Sequence, residues 1–181
     1  MTANTELAGK ILQSIADHPD EHAQAVWIGS VRDQEGEFEF SLNEFENDCG
    51  TQACIAGWTL LHEGYTFKID SSWVEDFEDF DVVSCAVRGD EEITEFHYAD
   101  VAARALVGDD ETGKREVKAL FHDMSVVSVI AKLTFFHNHG RFPIFDLTRD
   151  GERLLEGEPA GEFIEEWYEK WMELFPAKET V

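Results

Sequence analysis

Leu7, Ile11 and Ile15 recur at a four-residue interval ahead of Pro19, which predicts an amphipathic helix from about Thr5 to His18. Farther along the chain the period shortens to two. Phe38, Phe40 and Leu42 alternate with Glu37, Glu39 and Ser41, and together with residues 26–32 across Gln34-Glu35-Gly36 they predict a hairpin with one packed and one solvated face. The next segment has no polar face to speak of: Ala53, Cys54, Ile55, Ala56, Trp58, Leu60 and Leu61 predict a helix from Gln52, capped by Thr51 and ended by a left-handed Gly64. Such a helix belongs at the centre of a core. Gly57 within it costs about 1 kcal/mol relative to alanine, which implies that another element approaches closely there.

Residues 65–69 and 82–87 are short candidate strands on either side of an acidic stretch, and the second half of the chain is helical in period. Tyr98, Val101, Ala102, Ala105 and Leu106 share one face, closed by Gly108. Val117, Leu120, Phe121 and Met124 form a second face, and Val126, Val129, Ile130 and Leu133 a third that ends near Gly140. Phe163, Ile164, Trp167, Trp171, Leu174 and Phe175 form the clearest amphipathic helix, with Pro159 expected in its first turn. The expectation is an α+β protein, a single compact domain over residues 1–181 that is predominantly helical with a small antiparallel sheet or hairpin. A chain of 181 residues with 43% apolar composition can bury the core this requires. Its apolar runs are short and its first residues lack a signal-peptide pattern, so a cytoplasmic protein with no membrane association is expected.

Charge narrows the choice of partner. Thirty-nine acidic residues against 14 basic ones give a formal charge of -25, well beyond the magnitude of about 2 to 8 that solubility asks of a small domain. Direct nucleic-acid binding is disfavoured, because counterion release needs clustered lysine and arginine. An anionic membrane surface is disfavoured for the same reason. A protein partner with a basic surface fits, including one that ordinarily holds DNA or RNA; solubility alone is the competing reading. The candidate contact lies where Trp73, Phe77 and Phe80 interleave with Glu75, Asp76, Glu78, Asp79 and Asp81. Aromatic anchors inside a negative patch can both steer and dock. The same pattern also suits an element whose aromatics pack inward while its acids face water.

Cys49, Cys54 and Cys85 make an odd count that suits free thiols in a reducing compartment. A thiol in the first turn of a helix feels the positive end of the dipole, which lowers its pKa. Cys54 is therefore the candidate nucleophile of a hydrolase or acyltransferase, with His97, His122, His137 or His139 as its base. Against this stands an inert buried thiol, the ordinary state of a cysteine. A zinc site from Cys49, Cys54, His62 and Cys85 lacks the usual close ligand pairs, and His62 would lie about 12 Å from Cys54 along their helix. His137 and His139, with His122 and Asp146, diverge by about 200° if helical. The carboxylates of residues 75–81 and of 109–113 lack a calcium loop's glycine-centred spacing. No metal and no cofactor are expected, and no phosphate-cradling, Gly-x-Ser-x-Gly or kinase motif is present.

The segment Cys49-Gly-Thr-Gln-Ala-Cys-Ile-Ala-Gly-Trp58 resembles one carried by a group of uncharacterised proteins from actinobacteria and their phages. The likeness covers mainly residues 48–64, with a weaker echo in Val101-Ala-Ala-Arg-Ala-Leu-Val-Gly108 and Lys118-Ala-Leu-Phe121. The acidic-aromatic stretch and the tryptophan-rich last helix depart from it. The resemblance implies a phage or actinobacterial cytoplasm and carries no activity. The expected function is that of a small acidic phage-type protein that binds a basic host protein, inhibiting it or mimicking DNA towards it. Catalysis by Cys54 is the alternative.

Overall fold

The computed structural model describes residues 3–19, 22, 28–30, 37–40, 51–70, 82–123, 125–143, 145–147, 153–155 and 158–177. Six helices and nine strands lie among them. Helix α1 (Thr5–Asp17) forms where the four-residue apolar repeat predicts it, burying Leu7, Ile11, Leu12 and Ile15. Asn4 caps it: the side-chain oxygen accepts the Leu7 N–H at 3.1 Å, satisfying one of the donors that a helix start leaves unpaired. The same side chain donates to the Ala105 carbonyl at 3.2 Å, which fixes the entry of α1 against a distant part of the chain.

The strands depart from the expected hairpin. β1 (Ile28–Ser30) pairs antiparallel with β3 (Thr51–Ala53), whereas β2 (Glu37–Phe40) pairs antiparallel with β4 (Thr66–Asp70). Residues 26–32 and 37–42 therefore contribute strands to two different sheets. Alternation along a strand states which face is packed, and it does not state which strand lies alongside. β5 (Val82–Arg88) and β6 (Glu91–Ile93) complete an antiparallel sheet of order β2-β4-β5-β6. A third sheet, β7 (Phe145–Leu147), β8 (Arg153–Leu155) and β9 (Glu158–Pro159), was not expected.

β3 also moves the start of the central helix. Thr51 does not cap it, because Thr51, Gln52 and Ala53 are paired with Ser30, Gly29 and Ile28. Helix α2 (Ile55–His62) instead begins after Cys54, an extended N-cap residue. Every residue from Ile55 to Leu61 is buried, as its apolar circumference requires. Gly64 ends the segment with φ +83°, a backbone conformation that side-chain-bearing residues rarely adopt.

α3 (Glu95–Val107), α4 (Glu111–Phe121) and α5 (Val126–His139) form where the predicted faces place them, although Val126 is exposed at the start of α5 and Met124 lies outside the described residues; Gly140 closes α5 in the left-handed conformation. α6 (Ala160–Leu174) begins directly after Pro159, which belongs to β9 rather than to the first turn of the helix. Trp58, Leu60, Tyr65, Phe67, Tyr98, Leu106 and Phe136 fill the main core. A second cluster of Ala131, Phe135, Phe163 and Trp167 seals α5 against α6. Trp171 Nε1–H donates to the Leu12 carbonyl at 3.2 Å and ties α6 to α1. The architecture is α+β, mostly helical with small antiparallel sheets. No helix among the described residues is long and apolar enough to cross a membrane.

Candidate functional site

Cys54 stands at the N-cap of α2, within reach of the amides that a helix start exposes, and backbone N–H groups of Ala56 and Gly57 draw its pKa down. Burial outweighs them. With 2% of its surface exposed, the thiol is pushed up to about 11, because a thiolate there would lose its water and gain only partial charges in return. The lowered pKa expected from the helix dipole is thus reversed, and desolvation is the reason.

Of the histidines considered as bases, His97 interacts with Thr94 at 3.2 Å and His122 is the C-cap of α4. His137 and His139 leave α5 in different directions, as a helical pair must. His137 Nδ1–H donates to the Thr5 carbonyl of α1 at 2.7 Å, while the His139 ring packs 4.3 Å from Phe135 and 5.3 Å from Trp167 of α6. Gly9 makes the first contact possible: a Cβ there would stand 2.8 Å from His137 Cε1.

Two histidines that the sequence did not single out as bases have lowered pKa values. His22 is buried; its Nδ1–H donates to the Ala53 carbonyl at 3.1 Å, and Nε2 meets no hydrogen-bond partner among the described residues. Burial lowers its pKa to about 4. His62 Nε2 lies 2.8 Å from Ser14 Oγ, and burial, then the charge of Lys10, lower its pKa to about 4. This serine–histidine contact joins α1 to α2. An imidazole so weakly basic is a poor proton acceptor for a serine.

Among the described residues the metal sets do not assemble. His62 faces Ser14 of α1, Cys85 lies on β5, and Cys49 falls outside the described residues. Asp110 accepts the Thr112 N–H at 3.1 Å as the cap of α4, which is a structural use of the 109–113 carboxylates. Among the described residues no three of His, Cys, Asp or Glu are grouped so as to hold a metal ion.

Trp73, Glu75, Asp76, Phe77, Glu78, Asp79, Phe80 and Asp81, the predicted contact segment, also lie outside the described residues. The described surface carries acids elsewhere. Asp90, Glu91 and Glu92 are exposed at the β5–β6 turn, and Asp109, Asp110 and Glu111 at the α3–α4 junction. Helix α6 has the longest acidic face. At 100° per residue Glu162, Glu165, Glu166, Glu169 and Glu173 fall within an arc of about 100°, nearly opposite the buried Phe163, Trp167 and Trp171. The pairs Glu162–Glu166, Glu165–Glu169 and Glu169–Glu173 are like charges one turn apart, each costing about 0.2–0.5 kcal/mol. Lys170, the only basic residue of the helix, lies with Nζ 4.4 Å from the centre of the Trp167 ring. Sequence reading followed only the apolar stripe of this helix. The signal it missed is the complementary one, glutamates at intervals of three and four.

Comparison with protein families, curated proteins and solved structures finds no match to the chain.

Proposed function

We propose that the protein acts by binding another protein through a basic surface of that partner, inhibiting it or standing in for DNA towards it. The observation that carries this reading is the -25 charge, expressed on the described surface by exposed acids at the β5–β6 turn, the α3–α4 junction and α6. Such a field speeds encounter with a cationic surface and repels nucleic acid and anionic lipid. A phage-infected or actinobacterial cytoplasm is the setting that the Cys49–Trp58 resemblance suggests. The alternative, a hydrolase or acyltransferase with Cys54 as nucleophile, draws no support from a buried thiol whose pKa is raised.

The test is affinity capture of host proteins on the immobilised folded chain, with the urea-unfolded chain as a control of equal charge. The folded chain is expected to retain a discrete nucleic-acid-binding protein that DNA displaces and that salt releases. Screening supplies the salt dependence, since the Debye length shrinks from about 10 Å at 0.1 M to about 3 Å at 1 M. Equal retention by both forms, or a complex indifferent to salt, would refute the reading.

A further inference from the structure

We infer that the solvent face of α6 is the docking surface, and that its occupant is a lysine- or arginine-rich amphipathic helix of the partner protein. This rests on the charge-driven binding proposed above and assigns it a place. Two independent features of the helix converge. The first is electrostatic: five glutamates line one face between Glu162 and Glu173, about 17 Å of helix. Among the described residues none of them forms an ion pair, and the one lysine of the helix covers a tryptophan ring instead. The last turn ends in Glu173 with no basic residue, so its charge also opposes the helix dipole. A cationic partner relieves all of these repulsions at once.

The second feature is apolar. Met172, 51% exposed, is the most exposed large hydrophobic side chain among the described residues, and it lies in the last turn of this helix. Met172 borders the glutamate arc beside Glu165 and Glu169. An unbranched thioether is suited to a surface that must repack against a partner. The face thus offers a charged track with an apolar anchor at one end, which matches a helix bearing lysines along one side and leucines along the other. A flat polyanion-binding surface would engage the charges and leave the anchor idle.

The probe is a leucine–lysine amphipathic peptide of about 15 residues, titrated calorimetrically into the full chain at 0.1 M salt. Changing Glu162, Glu165, Glu169 and Glu173 to glutamine is expected to weaken binding about tenfold more than neutralising Asp90, Glu92, Asp109 and Glu116, which removes the same charge elsewhere on the exposed surface. Met172→Ser is expected to cost about threefold or more with no change in charge. The α6 glutamine variant removes repulsion within the helix, so loss of fold does not confound it; circular dichroism verifies this. Equal weakening by the two charge sets overturns the α6 assignment and leaves the charge-driven reading standing. Equal affinity for a lysine homopolymer of the same charge overturns the helical occupant. No binding by the unaltered chain, or binding unchanged between 0.1 and 1 M salt, overturns both.

Discussion

Replacing Gly9 by alanine tests the packing of α1 against α5 at one atom. In an exposed helix interior this change stabilises by about 1 kcal/mol, because glycine loses more backbone freedom on folding. At Gly9 the new methyl would stand 2.8 Å from His137 Cε1 and 3.1 Å from Nδ1. The ring has little room to yield. Its Nδ1–H is bonded to the Thr5 carbonyl at 2.7 Å, and the ring packs in a T-shaped arrangement with Phe175, centroids 5.4 Å apart. Forcing it aside costs about 1–3 kcal/mol of overpacking, partly as the lost hydrogen bond. After the propensity gain is subtracted, Gly9→Ala is expected to destabilise by about 1 kcal/mol. Gly161→Ala is the control, since nothing lies within 4 Å of a Cβ there, and it is expected to be neutral or to stabilise by up to about 1 kcal/mol. Urea unfolding followed by tryptophan fluorescence reads both, with an unchanged m-value as the sign that only stability has moved. In a His137→Ala background the Gly9 substitution should turn stabilising, giving a coupling of about 2 kcal/mol. Stabilisation by Gly9→Ala equal to that of the control, or a cost that persists without the imidazole, would refute the argument.

Acid should weaken the fold through His22. Its folded pKa of about 4 lies below the ordinary 6.5, so the stability it contributes is present above pH 6.5 and is lost as pH falls towards 4. The loss is about 2 kcal/mol by pH 5, and His62 adds to it in the same direction. His22→Asn, which retains a donor for the Ala53 carbonyl, should flatten the urea midpoint between pH 7 and 5; an unchanged slope would exclude His22 as the source. Cys54 should resist iodoacetamide in the native chain, since raising the pKa from 9 to about 11 alone reduces the thiolate about a hundredfold at neutral pH. Peptide mapping after timed alkylation measures this, and native Cys54 reacting as fast as in the unfolded chain would contradict the burial.

The helices were legible because their cause is local. Leu7, Ile11 and Ile15, or Phe163, Trp167 and Trp171, declare a buried stripe through spacing alone, and Pro19, Gly64, Gly108 and Gly140 mark ends through backbone chemistry. The strands were legible one at a time and their pairing was not. Residues 37–40 form a strand as their alternation predicts, yet their partner is Thr66–Asp70 rather than the neighbouring 28–30. Thr51-Gln-Ala resembled a helix cap because nothing within those residues records the strand that β1 would offer them.

The sequence by itself determined the acidic character of the protein, its helical faces and the apolar circumference of α2. These depend on residue type and on periods of two and 3.6, which are properties of the chain. Only the tertiary structure decided how those properties act. The Cys54 thiol is raised because the fold removes water from it, against the helix dipole that the sequence alone would emphasise. Gly9 matters because an imidazole 128 positions later rests on it, and the glutamates of α6 form one open face because Trp171 turns the other towards Leu12. Desolvation and close contact are set by what surrounds a group in space, and most of those surroundings are distant along the chain.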